Sequence, residues 1–199
     1  MKSFVITILA VSMLSAPLHA SENWLPPAVA EGLAQQLGER MTQVGLGGSD
    51  EARVIDGARE SVARMEQHLD AWELRGVLEG APRFPELELP GSASRYLDAM
   101  TRYSLCNLVL LRMFGDPALR EDRRAMSIST FGLTGMTMAI VRLREPHVRE
   151  GGTDAMMEAA LTRPELESLV EKIQEDEDLL LHVERQCHPV VLKLLGPAE

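Results

Sequence analysis

Apolar residues recur at steps of three and four along most of the chain, which is the period of an amphipathic α-helix. Glycines, prolines and short polar residues separate these runs, as is typical of helix ends. Few residues are aromatic, and Leu, Ala, Met, Glu and Arg, which are good helix formers, are abundant. The pattern predicts an all-α fold, a single-domain bundle of five or six helices. The six predicted helices cover about 27–44, 50–80, 92–115, 117–145, 153–161 and 162–194.

The third and fourth predicted helices are the most apolar and are expected to form a buried central hairpin. The third has little polar face. The fourth contains an uncharged run from Ala125 to Val141, whose length approaches that of a membrane span. Its serines, threonines and glycines favour a core helix that neighbours approach closely, so we expect no transmembrane span in the mature chain.

Prolines predict where helices stop or bend. Three prolines between residues 80 and 91 indicate a loop inside the domain, because proline donates no backbone hydrogen bond. Pro146 is expected to end the fourth helix at Glu145. Pro189 is expected to kink or restart the last helix.

The first twenty residues have the composition of a secretory signal peptide. Lys2 supplies a short basic start, Phe4–Ala16 is uncharged and mostly apolar, and Ala20 is a small residue before a polar stretch. Such an apolar run is too short to span a bilayer. We therefore expect residues 1–20 to be cleaved and residues 21–199 to form a mature protein that is periplasmic or secreted.

Cys106 and Cys187 are the two cysteines of the chain, and both are predicted to face the core. In an exported protein a small even number of cysteines favours a disulfide, because the compartment is oxidising. We predict a Cys106–Cys187 bridge between the third helix and the last. The alternative is two buried free thiols.

Acidic residues outnumber basic ones. Without the signal peptide the chain has 19 Lys and Arg against 30 Asp and Glu, a net charge of −11. This balance argues against nucleic acid and anionic lipid as main partners, since both bind clustered basic charge. A basic protein partner is compatible with it. The densest acidic run opens the last helix, and its candidate partner-binding residues are Glu167, Glu171, Glu175, Asp176 and Asp178. An ordinary solvated helix face explains the same run.

Two i, i+4 pairs on the last helix place a histidine near an acid, and each pair is a weak candidate for metal binding: Asp178 with His182, and Glu184 with His188. Surface ion pairs are the favoured interpretation, because the two histidines are six positions apart and point in different directions. No Glu-x-x-His step, nucleophile elbow, Walker loop or dinucleotide fingerprint occurs in the sequence. We therefore expect no cofactor.

These observations favour an exported binding protein of the cell envelope without catalytic activity, one that partners or inhibits a cationic protein. A helical carrier of an apolar ligand is the first alternative. A metal-handling protein or an enzyme that uses His182 and His188 is the second.

Overall fold

The computed structural model describes residues 24–48, 50–89, 92, 94–115 and 122–195, with the backbone alone at 113–115 and at 167. The predicted signal peptide lies outside these residues. The described part is all-α and contains no strand. Its eight helices are α1 (Pro27–Gln43), α2 (Glu51–Ala71), α3 (Glu73–Glu79), α4 (Arg95–Gly115), α5 (Arg123–Arg149), α6 (Asp154–Leu161), α7 (Pro164–Glu175) and α8 (Glu177–Leu195).

The structure has eight helices where the sequence predicts five or six, because two predicted helices are each divided. Glu73, the first residue of α3, has a φ of +54°, and this left-handed conformation separates α3 from α2. The indole of Trp72 then packs against Gly76 and Gly80 of α3. Between α7 and α8, Asp176 adopts an extended backbone conformation.

The predicted central hairpin is confirmed by α4 and α5, which make the most extensive contacts between any two described helices. Gly132 of α5 lets α4 and α8 approach closely. A Cβ atom at this position would lie 2.9 Å from Val191 and 3.0 Å from Leu110, so alanine there would force both neighbours to move.

The fourth predicted helix differs from α5 at its C-terminal end. Pro146 does not end the helix, which continues to Arg149 and contains His147. A proline removes only its own donor, and the later residues keep their hydrogen bonds: Glu150 N–H donates to Pro146 O at 3.0 Å. The predicted start at Asp116-Pro117 lies outside the described residues. The helix described begins after Asp122, whose carboxylate caps two backbone amides at 2.9 and 3.0 Å.

The predicted disulfide is confirmed. Cys106 of α4 and Cys187 of α8 are bonded, with their Cα atoms 5.5 Å apart, and both are fully buried. The bond ties the last helix to the central hairpin across 81 positions of sequence.

The last predicted helix is wrong in two respects. It restarts at Asp176 rather than at Pro189, and α8 runs through Pro189, whose side chain is exposed. Cys187, predicted to face the core, is buried there together with Val183, and Glu177 is exposed at the start of α8.

Helix α5 is long and apolar enough to cross a membrane by length and composition. Of its most apolar stretch, 67% is buried against the other helices. Burial of this extent is typical of a helix in the core of a bundle.

Candidate functional site

The predicted partner-binding residues lie where α7 ends and α8 begins. Glu171 and Glu175 are four positions apart on α7 and share its exposed face, because Leu166, Val170 and Ile173 bury the opposite face. Asp176, Glu177 and Asp178 are exposed at the start of α8. We call Glu171, Glu175, Asp176, Glu177 and Asp178 the acidic junction. Glu167 was also predicted here, and its side chain lies outside the described part of the chain.

The acidic junction has no cationic partner among the described residues. The ion pairs of the described chain, such as Arg59 with Glu31 and Arg144 with Asp154, all involve carboxylates from other regions. Lys172 is the single basic residue between positions 164 and 178. The junction therefore carries a surplus of negative charge in this part of the molecule.

Three of the junction residues help the fold and two do not. Asp176 caps α8, because its Oδ1 accepts a hydrogen bond from the Leu179 amide at 3.0 Å. Glu177 and Asp178 lie in the first turn of α8, where the helix dipole favours negative charge. Glu171 and Glu175 are like charges at i, i+4 near the negative end of α7, an arrangement that destabilises a helix.

An apolar cleft adjoins the acidic junction. It lies between α4 and the two helices of the junction, and Arg112 crosses its rim, donating from Nη1 to Gln174 O at 2.9 Å. The free volume inside the cleft is about 10 Å³, room for no more than about one water molecule. Small-molecule sites occupy at least roughly 300 Å³, so this cleft is a shallow apolar surface rather than a ligand pocket. Its apolar lining consists of Leu105, Leu108, Val109, Val170, Ile173 and Leu180.

The four candidate metal ligands are not brought together. His182 lies 2.5 Å from Glu86 of the loop between α3 and α4, so its partner is not Asp178 as the spacing predicted. The contact lacks the alignment of a hydrogen bond. His188 is exposed. Within the described ranges no three His, Cys, Asp or Glu side chains converge on a point where a metal ion could bind.

Glu184, the fourth candidate ligand, is half-buried. Burial raises the pKa of its carboxyl group, and the nearby charge of Arg112 acts in the opposite direction. Burial therefore disfavours the ionised form of this carboxyl group.

A second group of charged residues, which the sequence did not predict as a site, surrounds the turn between α5 and α6. Arg144 is buried and donates two hydrogen bonds to Asp154, from Nε to Oδ1 at 2.8 Å and from Nη2 to Oδ2 at 2.7 Å. These bonds are the main reason that the pKa of Asp154 lies below its ordinary value. The pair fastens the start of α6 to the last turns of α5.

Helix α4 joins the same turn through Glu150. The Tyr96 hydroxyl donates to Glu150 Oε1 at 2.8 Å, and Arg95 Nη2 donates to the same oxygen at 3.0 Å. Hydrogen bonds from Tyr96 and then Arg95 lower the pKa of Glu150. Burial is the main cause of the raised pKa of Tyr96. We call Arg95, Tyr96, Arg144, His147, Glu150 and Asp154 the turn cluster.

Sequence spacing carried no signal for the turn cluster. Arg144 and Asp154 are ten positions apart across a Gly-Gly turn, and Tyr96 and Glu150 are 54 apart. Helical periodicity relates residues of one helix only, so contacts across a turn or between helices are invisible to it. Comparison of the chain with protein-family models, with characterised proteins and with solved structures found no match.

Proposed function

We propose that this chain is an exported binding protein of the cell envelope that docks a basic protein through the acidic junction. The observation that carries the proposal is the exposed negative charge of the junction, which forms no ion pair within the described chain. Glu171 and Glu175 keep this charge although their mutual repulsion destabilises α7. Surplus charge of one sign speeds the encounter with a partner of opposite charge and selects against others.

The adjoining cleft supports the same proposal. A protein interface has an apolar centre within a polar rim, and a side chain buried at the centre contributes most of the affinity. The cleft supplies a shallow apolar surface beside the charges, and its lining includes Gln174 within the junction and Leu180 just after it. The partner therefore presents an apolar side chain flanked by lysines or arginines.

Export to the periplasm is part of the proposal. The buried Cys106–Cys187 bond is compatible with an oxidising compartment. Native mass spectrometry of protein purified from the periplasm without reductant tests this part. We expect an oxidised chain that begins at Ser21, and a chain that retains residues 1–20 would contradict export.

Photo-crosslinking in the cells that make the protein tests the docking site. A photo-reactive residue at Glu175 is compared with one at Glu39, an exposed glutamate of α1 that makes no ion pair with the described residues. We expect an adduct with a basic protein from position 175 and none from position 39. Equal adducts from both positions, or none from position 175, would exclude the junction as the docking site.

A further inference from the structure

His147 is buried beneath the glycine turn that joins α5 to α6. Its side chain is 2% exposed, and its Nε2 has no hydrogen-bond partner among the described residues. Gly152 covers the ring so closely that a Cβ atom on it would lie 2.1 Å from the ring Cε1. The Gly152 amide donates to the carbonyl of His147 at 2.9 Å, which closes the turn over the imidazole.

The carboxylates near the imidazole already accept hydrogen bonds from other side chains. The two carboxylates around the imidazole are held by arginine and tyrosine donors, so neither is placed on Nε2. A neutral imidazole can leave one nitrogen as an unbonded lone pair at modest cost, whereas an imidazolium has an N–H donor on both nitrogens. The carboxylates whose charges interact with the imidazole are Glu150, which follows α5, and Asp154 of α6. The side chains that donate hydrogen bonds to these carboxylates are Arg95 and Tyr96 of α4 and Arg144 of α5.

The geometry points to an acid-sensitive turn: protonation of His147 opens Gly151–Gly152 and admits water to the imidazole. In the closed turn a protonated Nε2 is a buried donor without an acceptor, and Arg144 adds a second positive charge three residues away. In the open turn water accepts this hydrogen bond. Acid therefore favours the open turn, which loosens the connection between the central hairpin and α6.

The carboxylates do not produce this effect in the same pH range. Hydrogen bonds from their partners lower the pKa values of Glu150 and Asp154, so both stay ionised where a hydrated imidazole takes up its proton, near pH 6.5. Their attraction for an imidazolium opposes opening. The direction of the measured effect thus distinguishes the unbonded donor from simple charge attraction.

Hydrogen exchange at the Gly152 amide tests the inference, because this amide closes the turn onto His147 itself. Protection factors are measured by NMR at about pH 7.5 and pH 5.5 and corrected for the intrinsic exchange rate. We expect protection at Gly152 to fall about tenfold over this range, since each pH unit below 6.5 favours the protonated open form by a further factor of ten. Gly80, whose amide closes another helix end at 2.8 Å, is the internal control and should not change.

Two variants complete the experiment. His147→Phe keeps a ring without a titrating nitrogen, and its Gly152 protection should not depend on pH in this range. His147→Gln serves in its place if the phenylalanine variant does not fold. Unchanged or increased protection of the unmodified protein at pH 5.5, or the same fall in the variant, would overturn the inference.

Discussion

At the α5–α6 turn, Glu150 and Asp154 each accept hydrogen bonds from an arginine, whereas Glu171 and Glu175 at the α7–α8 junction form no ion pair with the described residues. Both regions are acidic and both connect two helices. In the first region the carboxylates hold the fold together. In the second their charge is left for solvent and for whatever the protein meets.

The difference separates residues that stabilise the molecule from residues that can be used for recognition. A carboxylate with an internal partner lowers the free energy of the folded state, and its loss is measured as stability. A carboxylate without an internal partner contributes little to stability, and removing it should weaken binding to a partner protein instead.

The largest expected effect concerns the disulfide, which joins α4 of the turn cluster to α8 of the junction. Replacing Cys106 and Cys187 by alanine removes a link across 81 residues and should lower the free energy of unfolding by about 4 kcal/mol. Denaturant unfolding without reductant measures it. A loss under about 1 kcal/mol would show that packing alone holds α8 in place.

Arg144→Met should have the next largest effect. The arginine is 9% exposed, so its loss removes two charge-assisted hydrogen bonds in a mostly desolvated place, although Asp154 is half exposed and regains some water. We expect a loss of about 2 kcal/mol. The matched control is Arg149→Met, which removes an exposed pair with Glu145 on the same helix and should cost no more than about 0.5 kcal/mol. Equal losses would remove the distinction between buried and exposed pairs.

Acid should weaken the turn cluster through Asp154. Because the pKa of this carboxyl is lower in the folded protein than in the unfolded chain, its contribution is complete above the unfolded value, about 3.9, and is lost as the pH falls through the folded value. Unfolding followed between about pH 5 and pH 2 should show an acid loss that is about 1 kcal/mol smaller in Asp154→Asn. The half-exposed position of Asp154 keeps this figure small. An unchanged acid loss in the variant would contradict the assignment.

The smallest effect is expected at the junction, and its sign is opposite. Glu171→Gln with Glu175→Gln removes like-charge repulsion and an unfavourable interaction with the α7 dipole, so stability should rise by about 0.3 kcal/mol at low salt. The gain should disappear in about 1 M salt, where such interactions are screened. A clear loss of stability would mean that these glutamates have internal partners.

Periodicity and helix-end signals were sufficient for the all-α class, the central hairpin and the Cys106–Cys187 pairing. They were insufficient at Pro146 and Pro189, because one missing donor costs a helix less than the packing of the residues beyond it contributes. The break at Asp176 was also missed. In the sequence Asp176 is one of several consecutive acidic residues, and nothing marks it as the residue that caps the Leu179 amide.

The candidate sites were predicted unevenly. Exposure of the acidic junction follows from composition and helical phase, so most of its members were named from the sequence. The Glu86 partner of His182 and the whole turn cluster depend on contacts between segments far apart in the chain. Periodicity gives no information on such contacts.

We propose that the location of its charges, rather than the net charge of the chain alone, makes the acidic junction a docking site. Binding of a fluorescent decalysine peptide, measured by anisotropy at low salt, is compared for two variants of equal net charge. One carries glutamine at Glu171, Glu175 and Glu177, and the control carries glutamine at three exposed glutamates outside the junction that make no ion pair: Glu39, Glu60 and Glu158.

We expect the junction variant to bind the peptide about tenfold more weakly than the unmodified chain, since three rim pairs of about 0.5 kcal/mol each are lost. The control variant should lose less than about threefold, because only the long-range field is reduced. Equal losses in the two variants, or no loss in either, would contradict the account and leave the acidic junction as an ordinary solvated surface.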